Sequence, residues 1–183
     1  MFISMNHLRS VKDVSLGWIG VNTSTLKTLL SICRNLESLS LKKCWNLDHF
    51  DFGGRELGLR RLVIDNCDFV NVDYVGFSAP NLKFFKYIFW DIGGFSNRLV
   101  YMFSQYAVFY FRTLKVVELK GFRGTTNEVW ACIYLIQAGC VLEQIIVDVV
   151  KKEADAYSVQ RYANERLLLK VPKASKNLQI SIV

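Results

Sequence analysis

The stretch Leu36-Glu37-Ser38-Leu39-Ser40-Leu41-Lys42-Lys43-Cys44, followed by Leu47, decides the fold of this chain. It reads L-x-x-L-x-L-x-x-C-x-x-L. The alternation of Leu39 and Leu41 with Ser38, Ser40 and Lys42 is that of a short strand, with one face turned inward and the other toward solvent. A single unit of this kind cannot bury its leucines. It needs copies stacked beside it.

Copies are present on both sides. Leu59, Leu62, Ile64 and Cys67 repeat the frame, and Val11, Val14, Leu16 and Ile19 precede it. Degenerate versions follow at Leu82, Phe85, Tyr87 and Trp90, at Leu114, Val117, Leu119 and Phe122, and at Leu142, Ile145, Val147 and Val150. The starting positions 11, 36, 59, 82, 114 and 142 are separated by 25, 23, 23, 32 and 28 residues. The first three intervals fall within the roughly 20 to 29 residues of leucine-rich repeats. The expected fold is therefore α/β: a leucine-rich-repeat solenoid with a parallel sheet on its concave face and helices or irregular returns on its convex face. Cys44 and Cys67, both at position nine, would stack in the apolar spine.

Two of the returns read as helices. Residues 22 to 24 supply N-cap candidates before Leu26, Leu29, Leu30 and Cys33, which recur at helical spacing. Thr125 with Glu128 has the form of a capping box, Val129, Ile133 and Ile136 share one helical face, and Gly139 offers a C-cap. The long interval before Leu114 holds Gly93-Gly94 and an aromatic run reaching Phe111, which predicts a longer or irregular return.

Composition narrows the function. The 183 residues are 51% hydrophobic and 21% charged, too apolar for a disordered chain and enough for one ordinary domain. The most apolar uncharged stretch, 99 to 111, is bracketed by Arg98 and Arg112 and falls short of the roughly 20 residues of a membrane-spanning helix. His7, Arg9, Lys12 and Asp13 interrupt the first 20 residues, so no signal-peptide core is expected there, and the expected location is cytoplasmic or nuclear. The five cysteines form no close pairs of the zinc or redox type, so reduced, mostly buried thiols are expected and no metal or cofactor. The formal charge of +7 is scattered, with no basic run longer than two residues, which fits a solvated surface better than a nucleic-acid site. For catalysis, the candidate bases His7 and His49 sit in no motif, no G-x-S-x-G elbow occurs, and Gly53-Gly54 and Gly93-Gly94 lack the rest of a phosphate loop. No enzyme is expected.

The segment Leu114-Lys115-Val116-Val117-Glu118-Leu119-Lys120-Gly121-Phe122-Arg123-Gly124, then Asn127-Glu128 and Leu142-Glu143, with the tail Leu167-Leu168-Leu169-Lys170-Val171-Pro172-Lys173-Ala174-Ser175, resembles plant F-box proteins that carry leucine-rich repeats and a C-terminal FBD domain. The resemblance implies repeats over 8 to 104 and an FBD-like region over 105 to 183 that continues the solenoid. It also implies a substrate-recognition role, in which an F-box docks on a ubiquitin-ligase adaptor while the repeats hold the protein to be modified. Here the repeats begin by Val11, leaving no room upstream for an F-box of the usual size. A form lacking the F-box is expected, with adaptor docking in doubt.

The frame also places the outward strand positions, the third, fifth and seventh of each unit. The residues expected to contact a protein partner on the concave face are Arg61, Val63, Phe84, Lys86, Ile88, Val116, Glu118 and Lys120, with the apolar members central and the charged ones as a rim. Two other readings stay open. A polyanion or nucleic-acid binder would use Lys42, Arg61, Lys86 and Lys120, and a truncated family member would have no independent role.

Overall fold

The computed structural model describes residues 8–47, 58–68, 80–88, 112–150 and 166–183. His7, His49, Trp90, both Gly-Gly pairs and the aromatic run of 99 to 111 lie outside them. Among the described residues seven strands form one sheet: β1 (Asp13–Gly17), β2 (Ser38–Lys42), β3 (Arg61–Asp65), β4 (Phe84–Ile88), β5 (Val116–Phe122), β6 (Gln144–Val149) and β7 (Gln179–Ile182). Every neighbouring pair is parallel, and the spatial order is the sequence order. Helix α1 (Thr23–Ile32) lies between β1 and β2, and α2 (Thr126–Ala138) lies between β5 and β6.

The repeat frame sets the register. Leu39 pairs with Val14 on one side and Leu62 on the other, and the row continues through Phe85, Val117, Ile145 and Ile180. These residues and the next inward row, from Leu41 and Ile64 to Leu119 and Val147, join Leu26, Leu30, Cys132, Leu135 and Ile136 of the helices in one core. Burying one such leucine completely contributes roughly 1.5–3 kcal/mol, so the two rows dominate the stability of the sheet. Val14 and Leu16 on β1, and Ile180 and Ile182 on β7, are only partly buried. An end strand has a neighbour on one side only. For the same reason Ile19, expected inward at position nine, is exposed, whereas Cys44, Cys67 and Phe122 at that position are buried.

A second ladder runs where each strand begins. The amides of Glu37 and Ser38 both donate to the Lys12 carbonyl, those of Arg60 and Arg61 to Glu37, those of Lys83 and Phe84 to Arg60, those of Lys115 and Val116 to Lys83, and those of Glu143 and Gln144 to Lys115. One carbonyl thus takes two donors at each step, the same way five times over.

Helix α1 is capped by Asn22, whose side chain accepts from the Thr25 amide. In α2 the capping box is complete: Thr125 Oγ1 accepts from the Glu128 amide, and the Glu128 carboxylate accepts from the Thr125 amide. The buried face of α2 runs through Val129, Cys132, Leu135 and Ile136, with Ile133 at its margin rather than at its centre. Both helices end alike. The amides of Leu36 and Leu142 donate to the carbonyls of the C-cap residues Cys33 and Gly139 three positions earlier, so each helix leads into its next strand through the same turn.

The tail from Leu167 to Ser175, read from sequence as a closing segment, contributes a short helical turn over 166–170, and β7 follows it. The sequence frame contains no seventh strand, because QISI carries no repeat signature beyond two alternating isoleucines.

Candidate functional site

The sheet face opposite the core is organised in three rows. The first holds Asp13, Ser38, Arg61, Phe84, Val116 and Gln144, the second Ser15, Ser40, Val63, Lys86, Glu118 and Ile146, and the third Gly17, Lys42, Asp65, Ile88, Lys120 and Asp148. All eight residues singled out from the sequence stand on this face. Strand pleating puts them there, because third, fifth and seventh positions share one side.

Their arrangement departs from an apolar centre with a charged rim. Lys86 and Glu118 occupy the middle row, and their Nζ and Oε2 atoms are 2.7 Å apart with side chains only 21% and 23% exposed. A half-buried ion pair therefore stands between Phe84 and Val116 on one side and Ile88 and Lys120 on the other. Val63, expected to be outward and accessible, is 8% exposed. It is a short side chain flanked by the longer Arg61 and Lys86. The Arg61 guanidinium lies 4.0 Å from the Phe84 ring centroid, a stacking contact between adjacent strands. Lys120 reaches Asp148 at 3.8 Å with both side chains well exposed, a pair worth little in water.

A cavity of about 500 Å³ opens on this face, displaced toward β1 and β2. Arg61, Val63, Lys86 and Ile88 line it, together with Asp13, Val14, Ser15, Ser38, Ser40, Lys42 and Asp65. Phe84, Val116, Glu118 and Lys120 do not line it. The serines are the residues that sequence reasoning passed over, as polar alternates in a strand. The available signal was that the outward residues of the first two repeats, Lys42 apart, are small: Asp13, Ser15, Gly17, Ser38 and Ser40.

Elsewhere the chemistry is structural. Cys44 and Cys67 donate toward the carbonyls of Leu16 and Leu41, which are themselves register partners. Burial pushes the Cys67 thiol up to about 12 and raises Cys132 as well. Glu128 is buried and its pKa is raised, by desolvation above all, against the lowering effect of the Thr125 and Arg123 amides. Among the described residues no group of three or more His, Cys, Asp or Glu side chains is placed to hold a metal ion. No helix among them is long and apolar enough to cross a membrane.

Fold and face together define an α/β protein whose parallel sheet is made of repeated strand units and presents one mixed polar and apolar face. Over part of its length the chain is similar to plant F-box and F-box/LRR-repeat proteins. Two Arabidopsis thaliana proteins named as F-box/LRR-repeat proteins are 36% identical over 77 residues and 30% identical over 79 residues, covering 42% and 43% of this chain. A third, named as an F-box protein of the same plant, is 35% identical over 77 residues. The matched stretch spans only 15% to 16% of the length of these relatives. No family model and no solved structure matches the chain.

Proposed function

We propose that this chain is a non-enzymatic protein-interaction module, a leucine-rich-repeat solenoid that binds a partner protein on the concave face of its sheet. The observation that carries the reading is the in-register face over β1 to β5, where half-buried Phe84, Ile88 and Val116 stand among charged side chains. Aromatic and aliphatic residues held on rigid strands lose little freedom on binding, which is what an interaction surface requires. In this reading residues 8 to 104 are the repeats, and 105 to 183 are an FBD-like region that continues them. The names of the relatives support a role resembling the substrate-recognition part of an SCF-type ubiquitin ligase. The module acts in the cytoplasm or nucleus, where its unpaired thiols stay reduced.

The test is a pull-down with the whole chain from plant lysate, at physiological and at high salt. A protein partner that survives high salt, is lost with Phe84→Glu plus Ile88→Glu, and is kept with Trp130→Glu on α2 is the expected result. Recovery of nucleic acid alone, vanishing at high salt, overturns it.

A further inference from the structure

We propose that the Lys86–Glu118 pair on β4 and β5 is the central contact for the partner and receives an uncharged carboxamide, the side chain of an asparagine or glutamine, from an extended segment with apolar side chains on either side of it. The proposal rests on the interaction face just described and names the chemistry of what that face takes.

The charge balance of the face is the first observation. Lys42, Arg61, Lys86 and Lys120 are its basic residues on β1 to β6, and its three rows hold as many acidic ones. The face is therefore neutral in a chain of formal charge +7, and the excess positive charge lies elsewhere. A strongly charged segment of either sign meets no opposite field there.

The pair itself is the second. Lys86 Nζ donates to Glu118 Oε2 at 2.7 Å, with both side chains half-buried. A partner that covers the pair strips its remaining water, which costs free energy unless new hydrogen bonds take the water's place. The bond between them uses one of the ammonium donors and one of the carboxylate oxygens, so donors of Lys86 and the Oε1 acceptor of Glu118 stand side by side for a ligand. A carboxamide matches both at once: its carbonyl accepts from Lys86 while its NH2 group donates to Glu118. A carboxylate suits Lys86 and repels Glu118, and an ammonium does the reverse.

Spacing supplies the flanks. Successive rows of the face are two residues apart along a strand, roughly 6.6 Å. Phe84 and Val116 stand half-buried in the row before the pair, and Ile88 in the row after it. Alternate side chains of an extended peptide have the same spacing and point the same way. A segment lying along β4 and β5 therefore sets an apolar, a carboxamide and a second apolar side chain over the three rows in turn. The neighbouring cations are occupied: the Arg61 guanidinium stacks on the Phe84 ring, and Lys120 reaches toward Asp148 on β6.

The experiment is an NMR titration of the ¹⁵N-labelled full chain with acetyl-Leu-Ser-Gln-Ser-Leu-amide and with the same peptide carrying glutamate or lysine in place of the glutamine, all at one ionic strength. The expected result is saturable shifts at the amides of Phe84, Lys86, Val116 and Glu118 with the glutamine peptide, and binding at least threefold weaker with either charged peptide. Two variants extend the test, and the ¹⁵N spectrum of each reports its fold. Lys86→Glu with Glu118→Lys reverses the pair and keeps the affinity for the glutamine peptide within twofold, because the carboxamide turns over. Glu118→Lys alone leaves two cations and shifts the preference to the glutamate peptide. A charged peptide that binds the wild-type chain as tightly as the glutamine peptide, shifts confined to other strands, or no saturable shifts at all overturns the carboxamide site, and that comparison decides without the variants. If the captured partner depends on Phe84 and Ile88 but ignores Glu118→Lys, the carboxamide site falls and the interaction face stands. If Phe84→Glu with Ile88→Glu leaves the partner bound, the face reading falls, and the peptide titration still decides the pair by itself.

Discussion

Lys43 Nζ stands 4.2 Å from the centroid of the Trp18 ring, and both residues hold a left-handed backbone, with φ of 50° and 57°. Each directly follows a strand, as does Asn66 with φ of 50°. The amides of Trp18, Lys43 and Asn66 donate to the carbonyls of Lys42, Asp65 and Ile88, the last residues of the next strands. The left-handed step is therefore a feature of the repeat that carries the hydrogen-bond ladder round the strand end. In β5 the corresponding position is Gly121, with φ of 75° beside a register shift.

A left-handed residue other than glycine costs about 1–2 kcal/mol, and a β-branched one more. Lys43→Val is therefore expected to lower stability to urea by about 1–2 kcal/mol, whereas Lys43→Asn changes it little. Equal midpoints for the two variants would show that the turn relaxes to another conformation.

Much of this architecture was legible in the sequence. Six frames of period-two alternation, spaced by a repeat, gave six strands in the register observed, because a slip of one residue would turn every leucine to the wrong face. The capping box of Thr125 and Glu128 was legible because two residue types at a fixed spacing carry its hydrogen bonds. The left-handed Trp18 and Lys43 were not, since neither residue type favours that conformation. The cavity was not legible either. It depends on the small outward residues Asp13, Ser15, Ser38 and Ser40 of β1 and β2 standing beside Arg61, Lys86 and Ile88 of β3 and β4, a relation between strands that no single repeat contains.

Gly139 is required for space rather than for handedness. Its φ is −83°, yet a Cβ there would lie 2.9 Å from both the Leu135 carbonyl oxygen and the Leu142 Cβ. Neither atom is the end of a flexible side chain. Gly139→Ala is expected to cost about 1–3 kcal/mol in urea unfolding, as overpacking does. Gly17 is the contrast: a Cβ there meets nothing closer than the Lys42 carbonyl at 3.6 Å. Gly17→Ala should gain about 0.4–1 kcal/mol by restricting the unfolded chain.

Thiol chemistry distinguishes Cys140 from the other four cysteines. Cys33, Cys44, Cys67 and Cys132 are buried, and Cys140 is exposed. Since the thiolate is the reactive form and needs access, native protein at pH 8 should react rapidly with a disulfide reagent at one thiol per chain. Cys140→Ser should remove that fast phase and leave the four remaining thiols to react on unfolding. A second fast thiol in the wild-type chain would show that the apolar spine opens more readily than its packing indicates.

Glu128 sets a pH dependence whose sign follows from its environment. Desolvation raises its folded pKa above the ordinary glutamate value of about 4.3, so between those two values the folded chain holds a proton that the unfolded chain has lost. The contribution of Glu128 to stability is fully present below the unfolded pKa and is lost as pH rises through the folded one. Its Oε1 is buried without a partner, while Oε2 accepts from the amides of Arg123 and Thr125. Glu128→Gln removes the charge and keeps an acceptor for those amides, so it is expected to flatten the loss of stability above pH 4.3 and to match or exceed wild type at pH 7. Glu128→Ala leaves both amides without their acceptor and should cost about 1–3 kcal/mol at every pH. Urea unfolding of the three chains at a series of pH values from acid to neutral decides the matter: a wild-type stability that rises with pH relative to Glu128→Gln would mean that the carboxylate is better stabilised as an anion than its burial implies.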